Sequence, residues 1–253
     1  MTEPDKNYQD TILDLVSYAN QEDIPYQYWL ADSWWYFKGS TGGVTNWTAR
    51  PDVFPQGMEG IYNITGLQIQ GHNRYWDAEN VYAKQNGGEY EFLIDLDQGY
   101  SIPTEQRFWD DLLRDAKQWG LTVYEQDWLD AETSKLGFLT SSATLGRQWL
   151  TQMANAAAKN DVTIQYCMSM ARHILTSAEL PAVTQARASE DYHPGEDQWS
   201  PLGTTAMFAY ALGKSTENFL KEAHIYNFNP FLSSIFTSRA RVTMCVRSGP
   251  VQG

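Results

Sequence analysis

Two hydrophobic periods alternate along this chain. Short segments rich in β-branched and aromatic residues give way to longer ones in which apolar residues recur every three or four positions, the signature of βα units feeding a parallel sheet. Strands are expected at 27–31, 67–70, 91–94, 122–125, 163–166, 183–186 and 242–246, with an eighth near 225–228. Helices are expected at 8–20, where Ile12, Leu15, Val16 and Tyr18 form a stripe, at 105–119 with Phe108, Leu112, Ala116 and Trp119, and at 145–158 with Trp149, Met153 and Ala157. The stretch 32–60, rich in Gly, Pro and Trp, reads as a functional loop.

This order predicts an α/β fold, a (β/α)8 barrel of the TIM type, either complete or trimmed at its carboxyl-terminal end. A length of 253 residues suits one such barrel, so residues 1–253 are expected to form a single barrel domain. No internal repeat or low-complexity tract interrupts it.

Charge narrows the partners. With 31 Asp and Glu against 18 Lys and Arg, the net charge of -13 repels phosphate backbones and anionic headgroups, which disfavours nucleic acid and membrane partners. No apolar run approaches the ~18 residues of a membrane span. The aromatic share is high, with 10 Trp, 15 Tyr and 10 Phe, many beside carboxylates and amides. That mixture suits sugar recognition, while the same rings also fill cores. Cys167 and Cys245 make no disulfide framework or zinc spacing, so no metal is expected and no cofactor is called for. The opening MTEPDKNYQD shows neither a charged leader nor an apolar segment, so no signal peptide is expected in it and the chain as written reads as cytoplasmic. An excised domain would leave secretion or the lysosome open. The sequons Asn46-Trp47-Thr48 and Asn63-Ile64-Thr65 are a weak pointer to secretion.

Barrels of this kind carry chemistry where the strands end. Asp32, Trp34 and Trp35 follow the first expected strand, and Asp127 with Trp128 follows the fourth. Cys167 and Arg172 follow the fifth, and Arg187, Ser189, Glu190 and Asp191 the sixth. Carboxylates on separate strand ends facing one mouth are what glycosidic bond cleavage requires: one approaches the anomeric carbon, another protonates the departing oxygen. Spacing alone leaves Asp127 open between that role and a helix cap or ion pair. Glu190 and Asp191 are adjacent, so in an extended segment only one faces the site. The four histidines are scattered and read as surface or core residues.

The order of motifs resembles glycoside hydrolase family 36, and within it the plant raffinose synthase and seed-imbibition group. Tyr28-Trp-Leu-Ala-Asp32-Ser-Trp34, then Asn46-Trp47 and Val53-Phe54-Pro55-Gln-Gly57-Met58, is similar to the family's Leu-Asp-Asp-Gly-Trp strand and the motifs after it. Val123-Tyr-Glu125-Gln-Asp127 stands where the family has Lys-x-Asp, the Asp being the nucleophile. Tyr166-Cys167-Met168-Ser169 and Arg187-Ala-Ser-Glu190-Asp191-Tyr-His-Pro194 resemble the plant group's Cys-Met segment and the segment carrying its acid/base; Ser248-Gly249-Pro250-Val251 resembles its closing strand.

The resemblance implies a retaining glycosidase or transglycosidase for an α-linked sugar, with an oligosaccharide or glycoside as substrate. It makes Asp127 the nucleophile and Glu190 or Asp191 the acid/base. Asp32, Trp34, Trp47, Glu125, Cys167, Arg172 and Arg187 would contact the sugar. There are departures: Ala31 replaces one Asp of the first motif, and Glu125 replaces the Lys before the nucleophile. A barrel that binds glycans without turnover is the alternative these exchanges raise.

Overall fold

The first helix starts at Asn7, whose side chain accepts the Asp10 N–H while the Asp10 carboxylate accepts the Asn7 N–H, a reciprocal cap. Helix α1 (Tyr8–Gln21) then turns Ile12, Val16 and Ala19 inward. The structure, a computed structural model, describes residues 6–187 and the strand segments Ser215–Glu217 and Thr243–Val246. In chain order there follow β1 (Tyr28–Ala31), β2 (Phe37–Lys38), β3 (Val44–Asn46), α2 (Gly57–Thr65), β4 (Gln68–Asn73), β5 (Trp76–Asp77), β6 (Phe92–Asp95), β7 (Tyr100–Pro103), α3 (Gln106–Gln118) and β8 (Leu121–Gln126). Next come α4 (Leu129–Lys135), α5 (Gly137–Ser141), α6 (Leu145–Lys159), β9 (Thr163–Tyr166), α7 (Ala171–Ser177), β10 (Val183–Arg187), β11 (Ser215–Glu217) and β12 (Thr243–Val246).

Among the described residues, seven strands form one sheet in the order β11-β10-β9-β8-β4-β1-β12, every neighbouring pair parallel. The last strand lies beside the first, Tyr28 against Thr243 and Ala31 against Val246. The fold is therefore mixed α/β around a parallel sheet whose strands follow chain order.

A second, five-stranded sheet, β2-β3-β5-β7-β6, is built from the segments between β1 and β8. It corrects two expectations. The strand expected at 91–94 is β6, which pairs antiparallel with β7 through a tight return at Gly99, where φ is 73°. It belongs to the small sheet, so β8 is the third parallel strand along the chain and not the fourth, and β10 the fifth and not the sixth. The stretch 32–60 is likewise not one loop, since it holds β2, β3 and the start of α2. Strand β11 was not anticipated, and the expected strand at 225–228 lies outside the described residues.

Side chains alternate across each parallel strand. One face is aromatic: Tyr124 meets Trp47 at 5.5 Å and Trp109 of α3 at 5.9 Å between ring centres. Phe108 packs edge-on against Trp76, Tyr82, Tyr90 and Phe92, joining α3 to the small sheet. Burying each such ring contributes on the order of 2–3 kcal/mol, so this face anchors the sheet. On β4, β8, β9 and β10 the opposite face carries Gln70 and His72, Glu125, Gln165, and Gln185 and Arg187, and the alternation continues past the strand ends to Asp127 and Cys167.

Candidate active site

Each strand's hydrogen-bond ladder runs one residue past its end. The Asp127 N–H donates to the Asn73 carbonyl at 2.8 Å, and the Cys167 N–H donates to the Gln126 carbonyl at 2.9 Å. Both residues are thus held at the carboxyl edge of the sheet. The chain then turns away through a left-handed residue in each case, Trp128 at φ 61° and Met168 at φ 48°. Bulky side chains adopt that conformation at a cost of about 1–2 kcal/mol. At Trp128 the ring lies under the Arg74 guanidinium, 4.2 Å from its carbon, and Tyr75, edge-on to Trp128, has the same guanidinium 5.0 Å from its own ring centre.

Asp127 receives hydrogen bonds from several sides. Its Oδ1 accepts the Trp128 N–H at 2.7 Å and its Oδ2 lies 3.1 Å from His72 Nε2. The Cys167 thiol also bonds to the carboxylate. Burial pushes the Asp127 pKa up, but the His72 contact, the His72 charge and the Cys167 and Trp128 donors outweigh it, leaving the pKa below the ordinary carboxylate value. The group is ionised at neutral pH, and 15% of its side chain stays exposed.

His72 was not singled out by the sequence. It stands directly across from Glu125 in the β4–β8 register, and its ring is 3% exposed. Nε2 also lies 3.8 Å from Asp32 Oδ1, and Nδ1 is 2.9 Å from the Tyr36 hydroxyl. Trp47 fixes the strand beneath it by donating its indole N–H to the His72 carbonyl at 2.9 Å. Burial lowers the His72 pKa, while the bond to Asp127 and the charges of Asp32, Glu125 and Asp127 raise it, with a net upward shift. Glu125 Oε2 accepts from Gln70 Nε2 at 2.8 Å. The side-chain N and O atoms of His72, Glu125 and Asp127 lie within 4.8 Å of one another, His72 paired with Asp127 and Glu125 with Gln70.

The structure brings together Asp32, Glu125, Asp127, Cys167 and Arg187 among the residues expected from the sequence. Arg187 points its Nη1 at Cys167 Sγ, 3.9 Å away, and burial with the nearby Asp127 and Glu125 charges drives the Cys167 thiol far up in pKa. The thiol is therefore a neutral donor at neutral pH. Trp34 and Trp47 are placed elsewhere. Trp34 stacks on Tyr8 at 4.1 Å and packs on Phe54, and Trp47 lies among Trp35, Trp119 and Tyr124 on the aromatic face. Arg172 is exposed on α7. Glu190 and Asp191 lie outside the described residues. His72, Tyr36 and Arg74 are the additions. The signal for His72 was available: a strand running on past Gln70 puts His72 on the same face by period two.

No protein-family model and no curated protein sequence matches the chain. Among solved structures the chain is similar to a glycoside hydrolase family 27 β-L-arabinopyranosidase from Geobacillus stearothermophilus, with a TM-score of 0.56 at 14% identity, covering 83% of this chain and 57% of that one. It is also similar to an α-galactosidase from Lactobacillus brevis, with a TM-score of 0.41 at 12% identity, covering 90% of this chain and 37% of that one. The chain thus spans little more than half the length of the arabinopyranosidase, and the likeness to that enzyme is one of fold.

Proposed function

We propose that the chain is the barrel of a retaining glycosidase or transglycosidase for α-linked sugars, α-galactosides first, with Asp127 as nucleophile. The observation that carries this reading is the Asp127 carboxylate itself: ionised, partly exposed, at the carboxyl end of a central parallel strand, and gripped by His72, Cys167 and the Trp128 N–H. A nucleophile in a double displacement must be ionised and fixed before the sugar arrives.

Support for the barrel comes from the pairing of first and last strands and from strands lying in chain order. Residues 1–253 would then make one domain, with the polar row as its mouth. Asp32 and Arg187 flank Asp127 from β1 and β10 and would bond sugar hydroxyls, with Glu125 and Cys167 beneath them. Glu190 or Asp191 would serve as acid/base: they follow Arg187 within a few residues, and β10 ends on the same side of the sheet as β8. Protonation of the leaving oxygen releases the aglycone as the Asp127–anomeric carbon bond forms. The same carboxylate then takes a proton from water or an acceptor hydroxyl, which displaces Asp127 with net retention. The finer placement in family 36 rests on the motif order, and the sugar on that resemblance together with the arabinopyranosidase likeness in fold.

Hydrolysis of aryl α-galactoside and aryl β-L-arabinopyranoside tests this. Turnover by the wild type that disappears in Asp127→Ala supports the glycosidase. Sugar binding without turnover in the wild type would instead give the glycan-binding barrel.

A further inference from the structure

Three carboxylates, Asp32, Glu125 and Asp127, approach one another across three adjacent parallel strands, β1, β4 and β8. Buried carboxylates gathered without a cation take up protons themselves and cease to be nucleophiles. The strand between the other two supplies the ring that meets two of them. We propose that His72 is the positioning cation of this site: an imidazolium that holds Asp127 through Nε2, shares its charge with Asp32, and is held in turn by Tyr36 through Nδ1. This rests on the reading of Asp127 as the nucleophile.

The surroundings of His72 fit a charged ring. Asp127 lies 3.1 Å and Asp32 3.8 Å from Nε2, and Glu125 faces His72 across the strand pair. The other charged and titratable groups around this ring are Tyr36 at Nδ1, with Arg74 and Lys38 beside Tyr36, Lys38 also feeling the Asp32 charge, and Cys167 and Arg187 on the far side of Asp127. Arg74 lies over both the Trp128 and Tyr75 rings, which meet edge-on, and Arg187 reaches toward Cys167. His72 is a cation-forming side chain in direct hydrogen-bond contact with Asp127.

Tyr36 makes the charged state attainable without movement. A phenol both donates and accepts, so it donates to Nδ1 of the neutral ring and accepts from Nδ1–H of the imidazolium. Trp47 pins the backbone in both cases. Protonation changes charge and leaves the geometry as it is. When Asp127 becomes a neutral ester to the sugar, Asp32 remains beside the ring to balance it. His72 keeps both protons throughout, so no proton transfer passes through it.

The consequence is a site that weakens as pH rises through the His72 midpoint, because the neutral ring no longer offsets Asp32, Glu125 and Asp127. Nitrogen-15 NMR of the full chain labelled at histidine reads the ring directly, with the His72 signals identified by their loss in His72→Gln. The expected result is that both ring nitrogens are protonated near pH 7, with a midpoint that falls by about one pH unit or more in Asp127→Asn. A singly protonated ring at that pH overturns the proposal. If His72→Gln does not fold, the Asp127→Asn displacement makes the identification instead.

Kinetics gives the second readout. His72→Gln keeps an N–H donor and removes the charge, so kcat on the aryl glycoside is expected to fall roughly 10²-fold with KM little changed, and the wild-type loss of kcat at the His72 midpoint to vanish. Unchanged kcat overturns the positioning role. A wild type inactive on every glycoside removes the glycosidase reading, and with it that role, while the nitrogen signals still decide the charge on the ring.

Discussion

Arg74 lays its guanidinium carbon 4.2 Å from the centre of the Trp128 ring, and Trp128 is the left-handed residue that immediately follows Asp127. The stack secures the turn from which the Asp127 carboxylate takes one of its hydrogen bonds. Arg74→Ala removes a partly desolvated cation–π contact and should cost about 1–2 kcal/mol of stability. If Asp127 is the nucleophile, as proposed, the substitution should also lower kcat by roughly 10-fold or more, because a turn that relaxes by a fraction of an ångström misplaces the carboxylate. Urea unfolding and steady-state kinetics on the same preparation check both.

Glu132 of α4 is fully buried, with Gln126 Nε2 at 3.4 Å from its Oε2. Burial pushes its pKa well above the usual value, so the folded protein holds a proton that the unfolded chain releases above about pH 4.3. Its contribution is full below that pH and is lost as pH rises toward the folded midpoint. Glu132→Gln mimics the protonated form and removes the dependence. Its stability relative to wild type, from urea melts at several pH values, should therefore climb as pH rises above about 4.3.

His173 behaves in the opposite sense. Its Nδ1 accepts the Met170 N–H at 2.9 Å and its Nε2 lies 3.0 Å from the Thr133 hydroxyl. Burial, followed by the Arg172 charge, brings its pKa down to about 4. The neutral ring thus contributes stability that is present above the unfolded pKa of about 6.5 and is lost as pH falls through the folded value, on the order of 3 kcal/mol across that window. Acid titration of the unfolding free energy should show this slope, flattened in His173→Gln.

The strand that ends at Asp127 was legible in the sequence, and its neighbour on one side was not. Leu121–Gln126 shows a mostly apolar run closed by Glu125 and Asp127, so its end was read almost to the residue. Strand β4 was read as ending at Gln70; in the structure it runs through Gly71-His72-Asn73 with all three buried. Those residues fit a strand there because β8 pairs with all three, and β1 with Gly71, information no local window contains. Strand β6 was assigned to the wrong sheet for a related reason: its length and composition suit either sheet, and only the hairpin to β7 decides. The aromatic count suggested a sugar platform, whereas Trp34, Trp35 and Trp47 are buried in the core.

Gly120 stands just before β8 with φ +88°, and a Cβ there would lie 2.4 Å from Cδ2 of the Tyr62 ring. That atom is close to the root of the side chain, so the ring cannot swing clear cheaply. Gly120→Ala should cost about 2–4 kcal/mol, combining left-handed strain with displacement of α2. A thermal melt would show it as a lowered midpoint.

The central claim is that Asp127 forms a covalent bond to the sugar. Incubation with an activated 2-deoxy-2-fluoro glycoside, then proteolysis and mass spectrometry, tests it most directly, since the fluorine slows breakdown of the intermediate. A fluoroglycosyl mass on the peptide that contains Asp127, absent in Asp127→Ala, is the predicted result. Label on a different carboxylate, accompanied by enzyme inactivation, would contradict it.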